Sequence, residues 1–132
     1  MKRNFLTGLS VALTLCATLS LFALTQAEAA QREAAPPLGR YNCTPLADGP
    51  AFPGINLISK DRYESADNNG IYVYETSSGR IEWLTGSISR RLVGFYTPRG
   101  VDNAAQDTII IRDKKDVEEG KTRDLWRCNP AG

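Results

Sequence analysis

The chain has 132 residues, with 16 basic and 15 acidic side chains and a formal net charge of +1. This length allows a single domain. The basic and acidic residues are nearly equal in number, which excludes the positive field that steers proteins to nucleic acid. The chain contains no histidine, which excludes Ser-His-Asp and Cys-His catalysis and metal binding through imidazole.

The N-terminal segment has the pattern of a signal peptide. Lys2 and Arg3 precede an uncharged run over residues 5–24, and small residues around Ala29 match a signal peptidase site. We predict that residues 1–29 are removed and that the protein is periplasmic or secreted. The alternative is an uncleaved membrane anchor, because about 20 apolar residues span a bilayer. Glycine and hydroxyl residues dilute the run, so we expect no stable membrane span after cleavage.

Two cysteines follow the predicted cleavage site. Cys16 leaves with the signal peptide, and Cys43 and Cys128 remain. An even pair of cysteines in an exported chain predicts a disulfide. A metal pair or a redox thiol would need a C-x-x-C spacing or a nearby histidine, and the sequence has neither.

The region after the signal peptide divides into a tether and a domain. Residues 30–38 are small and polar and include Pro36 and Pro37, which predicts a flexible tether. A single domain is expected over residues 39–132. No apolar stripe with helical spacing occurs after residue 24.

Alternating polar and apolar residues predict about seven strands in the domain. In chain order they are residues 39–43, 54–59 with a continuation through Tyr63, 71–75, 80–85, 92–96, 107–112 and 122–128. Asn69-Gly70 predicts a tight hairpin turn, because this pair tolerates positive φ. Gly94 inside an apolar strand predicts a bulge, a bend or a close approach of another backbone.

The fold expected from this pattern is all-β: a small antiparallel meander closed as a barrel or sandwich, with one disulfide. Tyr41 and Cys43 share one face of the first strand, and Trp126 and Cys128 share one face of the last. A disulfide would therefore pair the first strand with the last and hide both sheet edges. Trp83 and Trp126 are predicted core residues.

Four short patterns resemble those of short exported bacterial proteins that carry one uncharacterised β-domain. They are Gly39-x-Tyr41-x-Cys43, Ile81-x-Trp83-x-x-Gly86, Gly94-x-Tyr96 and Trp126-x-Cys128. The resemblance covers most of the chain after residue 38 and implies a fold and a compartment, with no activity attached. The meander also looks like lipocalin-like barrels, but function does not follow from topology.

Candidate binding residues are arginines near turns and two neighbouring tyrosines. We expect the arginines to gather on one rim, where an anionic glycan or lipid headgroup would bind; they are Arg80, Arg90, Arg91 and Arg99. Tyr72 and Tyr74 share one face of a strand and would form a binding stripe if exposed, whereas cross-strand packing is the alternative.

The acidic residues offer two weaker hypotheses. Asp61 and Glu64 could act as a catalytic pair, although they lie in a polar stretch near a turn. A second acidic group lacks the spacing of a calcium loop and is mixed with lysines, so a charged hairpin tip is favoured; it comprises Asp113, Asp116, Glu118 and Glu119. We therefore predict no metal and no cofactor.

The sequence-based hypothesis is a non-catalytic binding or structural module of the bacterial cell envelope, with an unidentified envelope ligand or protein partner. The alternative is a carboxylate-dependent glycan hydrolase. Two carboxylates about 5 to 10 Å apart in a cleft would favour hydrolysis. An apolar barrel mouth without such a pair would favour binding.

Overall fold

A computed structural model describes residues 34–66 and 68–132, so the predicted signal peptide lies outside the described residues. Within them the chain forms eight strands and two short helices. The strands are β1 Gly39–Pro45, β2 Ile55–Leu57, β3 Arg62–Ser65, β4 Asn68–Glu75, β5 Arg80–Trp83, β6 Leu92–Thr97, β7 Thr108–Asp113 and β8 Asp124–Pro130. A 3₁₀ helix, Val101–Asn103, connects β6 to β7, and an α-helix, α1 Lys114–Glu118, connects β7 to β8.

The strands form a closed antiparallel barrel. Each strand pairs with the next along the chain, and β8 pairs with β1. Every strand thus has a partner on both sides, which leaves no open sheet edge. The predicted all-β meander is confirmed, and it is a barrel with eight strands where about seven were expected.

The predicted disulfide closes this barrel. Cys43 on β1 lies directly opposite Cys128 on β8, and their Cα atoms are 3.9 Å apart. The two sulfur atoms are bonded across 85 residues of sequence. The predicted pairing of the first strand with the last is confirmed.

The extra strand arises because the predicted second strand is interrupted. The chain turns between β2 and β3, where the amides of Ile58 and Ser59 both donate to the Arg62 carbonyl. The Ser59 hydroxyl also donates to the Asp61 carboxylate at 2.7 Å. Such local side-chain bonds favour turns over strands, so the predicted continuation through Tyr63 is wrong.

The predicted turn at Asn69-Gly70 is also wrong. Both residues lie inside β4, and the connection from β3 passes through Ala66, which has a φ of 53°. Gly70 is buried opposite Tyr63, and a Cβ atom there would lie 2.3 Å from a carbon of the Tyr63 ring. The glycine therefore makes room for an aromatic ring, a requirement that no short sequence pattern reveals.

Large side chains fill the barrel interior. The fully buried ones include Tyr41, Tyr63, Ile81, Trp83, Ile109 and Ile111. The Trp83 ring packs between Tyr63, at 4.8 Å, and Tyr72, at 5.9 Å between centroids. Its indole Nε1 has no hydrogen-bond partner among the described residues, so packing alone holds this ring. The prediction that Trp83 is a core residue is confirmed.

Gly94 provides the space for this tryptophan. A Cβ at Gly94 would come within 3.2 to 3.3 Å of Ile81, Trp83 and Ile109. The atoms that approach Gly94 belong to side chains, so the predicted close approach of another backbone is wrong. A pairing irregularity occurs nearby, between β7 and β8, where the register shifts between Ile111 and Arg112.

Candidate functional site

The two ends of the barrel differ. In an antiparallel meander alternate connections lie at the same end. We call the end that carries the β1–β2, β5–β6 and β7–β8 connections the open end. The opposite end, with the β2–β3, β4–β5 and β6–β7 connections and residues 34–38, is the closed end.

Tyrosine hydroxyls and the segment before β1 cover the closed end. Tyr41 donates to the Pro37 carbonyl at 2.8 Å, and Tyr74 donates to the Ala34 carbonyl at 3.1 Å. Pro36 between these acceptors is buried. Residues 34–38 of the predicted tether therefore contact the barrel, and the flexibility of residues 30–38 stays a prediction.

The remaining tyrosines at this end are also held by acceptors. Tyr72 donates to the Ser59 carbonyl at 2.7 Å, and Tyr96 donates to Asp107 Oδ1 at 2.8 Å. Tyr72 is 2% exposed, and Tyr74 packs edge-on against Tyr96. Tyr72 and Tyr74 thus pack across strands in the barrel, and a role for them in binding stays a prediction.

A cavity of about 340 Å³ opens at the open end. Three segments line it. The β1–β2 connection contributes residues 47–50, the β5–β6 connection with the start of β6 contributes Ser87, Ile88, Arg91 and Leu92, and the chain around the start of β8 contributes Arg123, Leu125 and Trp126. All three segments lie at one end of the barrel, so a ligand in this cavity would sit in the barrel mouth.

The floor of the cavity is apolar. It is formed by Ile88, Leu92, Leu125 and Trp126. The Trp126 ring lies 5.1 Å from Phe52, and its Nε1 donates to the Pro50 carbonyl at 3.1 Å. Trp126 is only partly buried. The prediction that it is a core residue is therefore only half right, because part of its surface lines the cavity.

Backbone hydrogen bonds tie the walls of the cavity together. The Leu46 amide donates to the Leu125 carbonyl at 2.9 Å, which fixes the β1–β2 connection to β8. The Lys114 amide donates to the Arg91 carbonyl at 2.7 Å, which fixes the start of α1 to the β5–β6 connection. The cavity is thus largely pre-formed, as small-molecule sites usually are.

Two arginines and one aspartate supply the charge in the cavity lining: Arg91, Arg123 and Asp48. The Arg91 guanidinium lies 3.8 Å from the Asp113 carboxylate, and its side chain is 82% exposed. Arg123 is exposed and makes no hydrogen bond or ion pair with any described residue. Both guanidinium groups therefore have donors available to a ligand.

The structure does not bring the four predicted arginines together. Arg90 and Arg91 are neighbours at the open end, whereas Arg99 lies in the β6–β7 connection at the closed end. Arg80 pairs with Glu82 at 2.9 Å on the outer wall. A binding role for this set stays a prediction. Arg123 and Trp126 were missed as site residues, because nothing in the sequence showed that β8 begins beside the β5–β6 connection.

Glu82 is the centre of a charge network on the outer wall. Its carboxylate accepts hydrogen bonds from Arg80 and also pairs with Lys114, whose Nζ donates in addition to the Ser89 carbonyl at 2.9 Å. Partial burial opposes ionisation of Glu82, but the bonds from Lys114 and Arg80 outweigh it and lower its pKa. The network joins β5 to the start of α1 and so helps to hold the open end.

The other acidic candidates are held in local pairs. Asp113 caps α1 by accepting from the Lys115 amide at 2.9 Å, and Lys121 pairs with Asp116 and Glu119. Across residues 34–66 and 68–132 no group of three or more His, Cys, Asp or Glu side chains could hold a metal ion.

The predicted catalytic pair consists of two side chains that each have a local partner. Asp61 accepts from the Ser59 hydroxyl, and Glu64 accepts from the Asn56 side chain at 3.2 Å. Neither carboxylate lines the open-end cavity.

Comparison with known proteins adds no family to this description. No protein-family model, no curated protein and no solved structure matches the chain significantly. No helix in the described part of the chain is long and apolar enough to cross a membrane.

Proposed function

We propose that this protein is a non-catalytic binding module of the bacterial cell envelope and that it holds a small ligand in the open-end cavity. The observation that carries the proposal is the cavity itself, with its apolar floor and its two available guanidinium groups. Its volume falls in the range of about 300 to 1,000 Å³ typical of small-molecule sites.

An envelope location is supported by the signal-peptide pattern and by the disulfide. Disulfides persist mainly outside the reducing cytosol, and this one joins the strands that close the fold. Protein recovered from the periplasm or the medium is expected to begin near Ala30. Recovery of intact Met1 in a membrane fraction would contradict this and would favour the anchor.

The geometry supports binding over glycan hydrolysis. Glycoside hydrolases need two carboxyl groups on either side of the scissile bond. Asp48 is the only carboxylate among the described residues that line the cavity. A single carboxylate beside two arginines fits the recognition of a ligand better than acid–base chemistry.

A capture experiment on envelope extract tests the proposal. The mature domain is incubated with the extract and re-isolated, and small molecules released from it are identified by mass spectrometry. A Ser87→Trp variant places a large ring at the cavity wall, and a Val73→Ala variant changes an outward side chain that is 51% exposed on β4. Wild type and Val73→Ala should retain a compound that Ser87→Trp loses.

Circular dichroism of each variant confirms that the barrel is intact before the comparison. Equal retention by all three proteins would show that the cavity is not the binding site. Release of sugar products from glycan by the wild type would replace the proposal with the hydrolase.

A further inference from the structure

We propose that the open-end cavity takes a small amphipathic anion: a molecule with an apolar body and one carboxylate, sulfate or phosphate group. This inference rests on the proposed function and names the class of ligand for the same site. The apolar body would pack on the cavity floor, and Arg91 and Arg123 would hold the anionic group.

The floor of the cavity offers an apolar surface to the body of the ligand. Ile88, Leu92, Leu125 and Trp126 contribute to one continuous lining. The Trp126 ring packs against Phe52, and its Nε1 donates to the Pro50 carbonyl. A ring fixed in this way offers a flat apolar surface with little loss of side-chain entropy on binding.

The two arginines of the lining can hold an anionic group. Arg123 has no partner among the described residues, and the contact of Arg91 with Asp113 at 3.8 Å is long and exposed. Exposed ion pairs of this kind contribute little. A planar guanidinium binds carboxylate and phosphate oxygens through two parallel hydrogen bonds. Because Asp48 is the single opposing charge in the lining, the cavity favours an anion over a cation.

The surroundings of the cavity favour a free small molecule over a membrane lipid. A lipid surface would be recognised by a cluster of unpaired basic side chains. Two lysines of the neighbouring β7–β8 connection instead have close acidic partners: Lys114 pairs with Glu82, and Lys121 pairs with Asp116 and Glu119.

The test uses three amphiphiles with the same tail and different charge: octyl sulfate, octanol and octyltrimethylammonium. Binding to the mature domain is measured by calorimetry and by Trp126 fluorescence. Octyl sulfate should bind about 3- to 10-fold more tightly than octanol, as expected for contacts with one or two exposed arginines. Octyltrimethylammonium should bind more weakly than octanol, and the advantage of the sulfate should shrink with added salt.

Variants locate the effect. Arg123→Gln should remove most of the preference for octyl sulfate and leave octanol binding unchanged. Arg62→Gln is the matched control, because Arg62 is exposed on β3 and does not line the cavity. Trp126→Phe should abolish the fluorescence response, since the other tryptophan, Trp83, is buried in the core.

The possible outcomes separate this inference from the proposed function. Equal binding of the three amphiphiles would overturn the anionic class and leave the cavity as a binding site. Binding of phosphatidylglycerol vesicles without binding of octyl sulfate would overturn the choice of a free ligand. Binding of none of these probes would overturn the inference, while the capture experiment on envelope extract would decide the proposed function independently.

Discussion

The tyrosines should make this barrel sensitive to alkaline pH. Every tyrosine hydroxyl of the chain donates to a carbonyl or carboxylate oxygen, a partner that can only accept. A phenolate has no proton to donate, so ionisation would break each of these bonds. Burial raises the pKa of all five side chains, and Asp107 adds to this effect at Tyr41 and Tyr96.

The sign of the pH effect follows from these raised pKa values. The unfolded chain releases tyrosine protons near pH 10, whereas the folded chain retains them to higher pH. The tyrosine contribution to stability is therefore complete below about pH 10 and falls as the pH rises above it. At about pH 11 each tyrosine that stays protonated only in the folded state lowers the free energy of unfolding by about 1.4 kcal/mol.

Tyr41 and Tyr96, which have the largest shifts, should together cost the fold about 3 kcal/mol at that pH. The total stability of a small domain is about 5 to 15 kcal/mol. The other three tyrosines act in the same direction. We therefore expect the barrel to lose a large part of its stability within about one pH unit above 10.

Denaturant unfolding at a series of pH values from about 8 to 11 measures this loss. Tyrosinate absorbance recorded on the same samples should rise together with unfolding. A Tyr96→Phe variant, which loses the bond to Asp107, should show a shallower decline of stability with pH, by about one proton. Ionisation of all the tyrosines near pH 10 with an unchanged unfolding midpoint would refute the reasoning.

Four further changes have defined outcomes. The double variant Cys43→Ser, Cys128→Ser should unfold at lower denaturant in a single cooperative transition, with a loss of about 4 to 5 kcal/mol; two free thiols in denatured, unreduced wild type would contradict the bond. Trp83→Ala should cost about 3 to 5 kcal/mol in thermal or denaturant unfolding, and a loss below about 1 kcal/mol would contradict its place in the core. Gly94→Val should cost about 1 to 3 kcal/mol by overpacking, and unchanged unfolding would show that the ring beside it can shift. Because the Glu82 pKa is lowered, its contribution is complete above the ordinary pKa of glutamate and is lost as the pH falls below it, so Glu82→Gln should flatten the acid limb of stability; an unchanged limb would show that the network is weak.

The closure of the barrel can be predicted from the sequence because the positions of four residues all indicate the same strand pairing. Tyr41 and Cys43 alternate with polar residues in the first strand, and Trp126 and Cys128 alternate in the last. A disulfide between the cysteines needs the strands to be neighbours, so local alternation and one covalent constraint together specify a contact between distant parts of the chain. The observed register pairs Cys43 with Cys128.

The sequence-based predictions fail where a residue is required by a contact with a residue distant in the sequence. The sequence pattern predicts a turn at Gly70, but the structure needs glycine there because the Tyr63 ring lies against it. The open-end cavity could not be predicted for the same reason. Its lining includes Arg91 and Arg123, which are far apart in the sequence and are brought to the same cavity by the fold.

Joining the first strand to the last also makes completion of the chain a condition for the fold. Among the described strands, only the β8–β1 pairing links distant parts of the sequence; the other pairings join consecutive strands. Without β8, strand β1 has one unpaired edge, and Cys43 has no partner for its thiol. A chain truncated before Cys128 would therefore keep an open strand edge and a free thiol, and the disulfide forms only in a chain that contains both ends of the barrel.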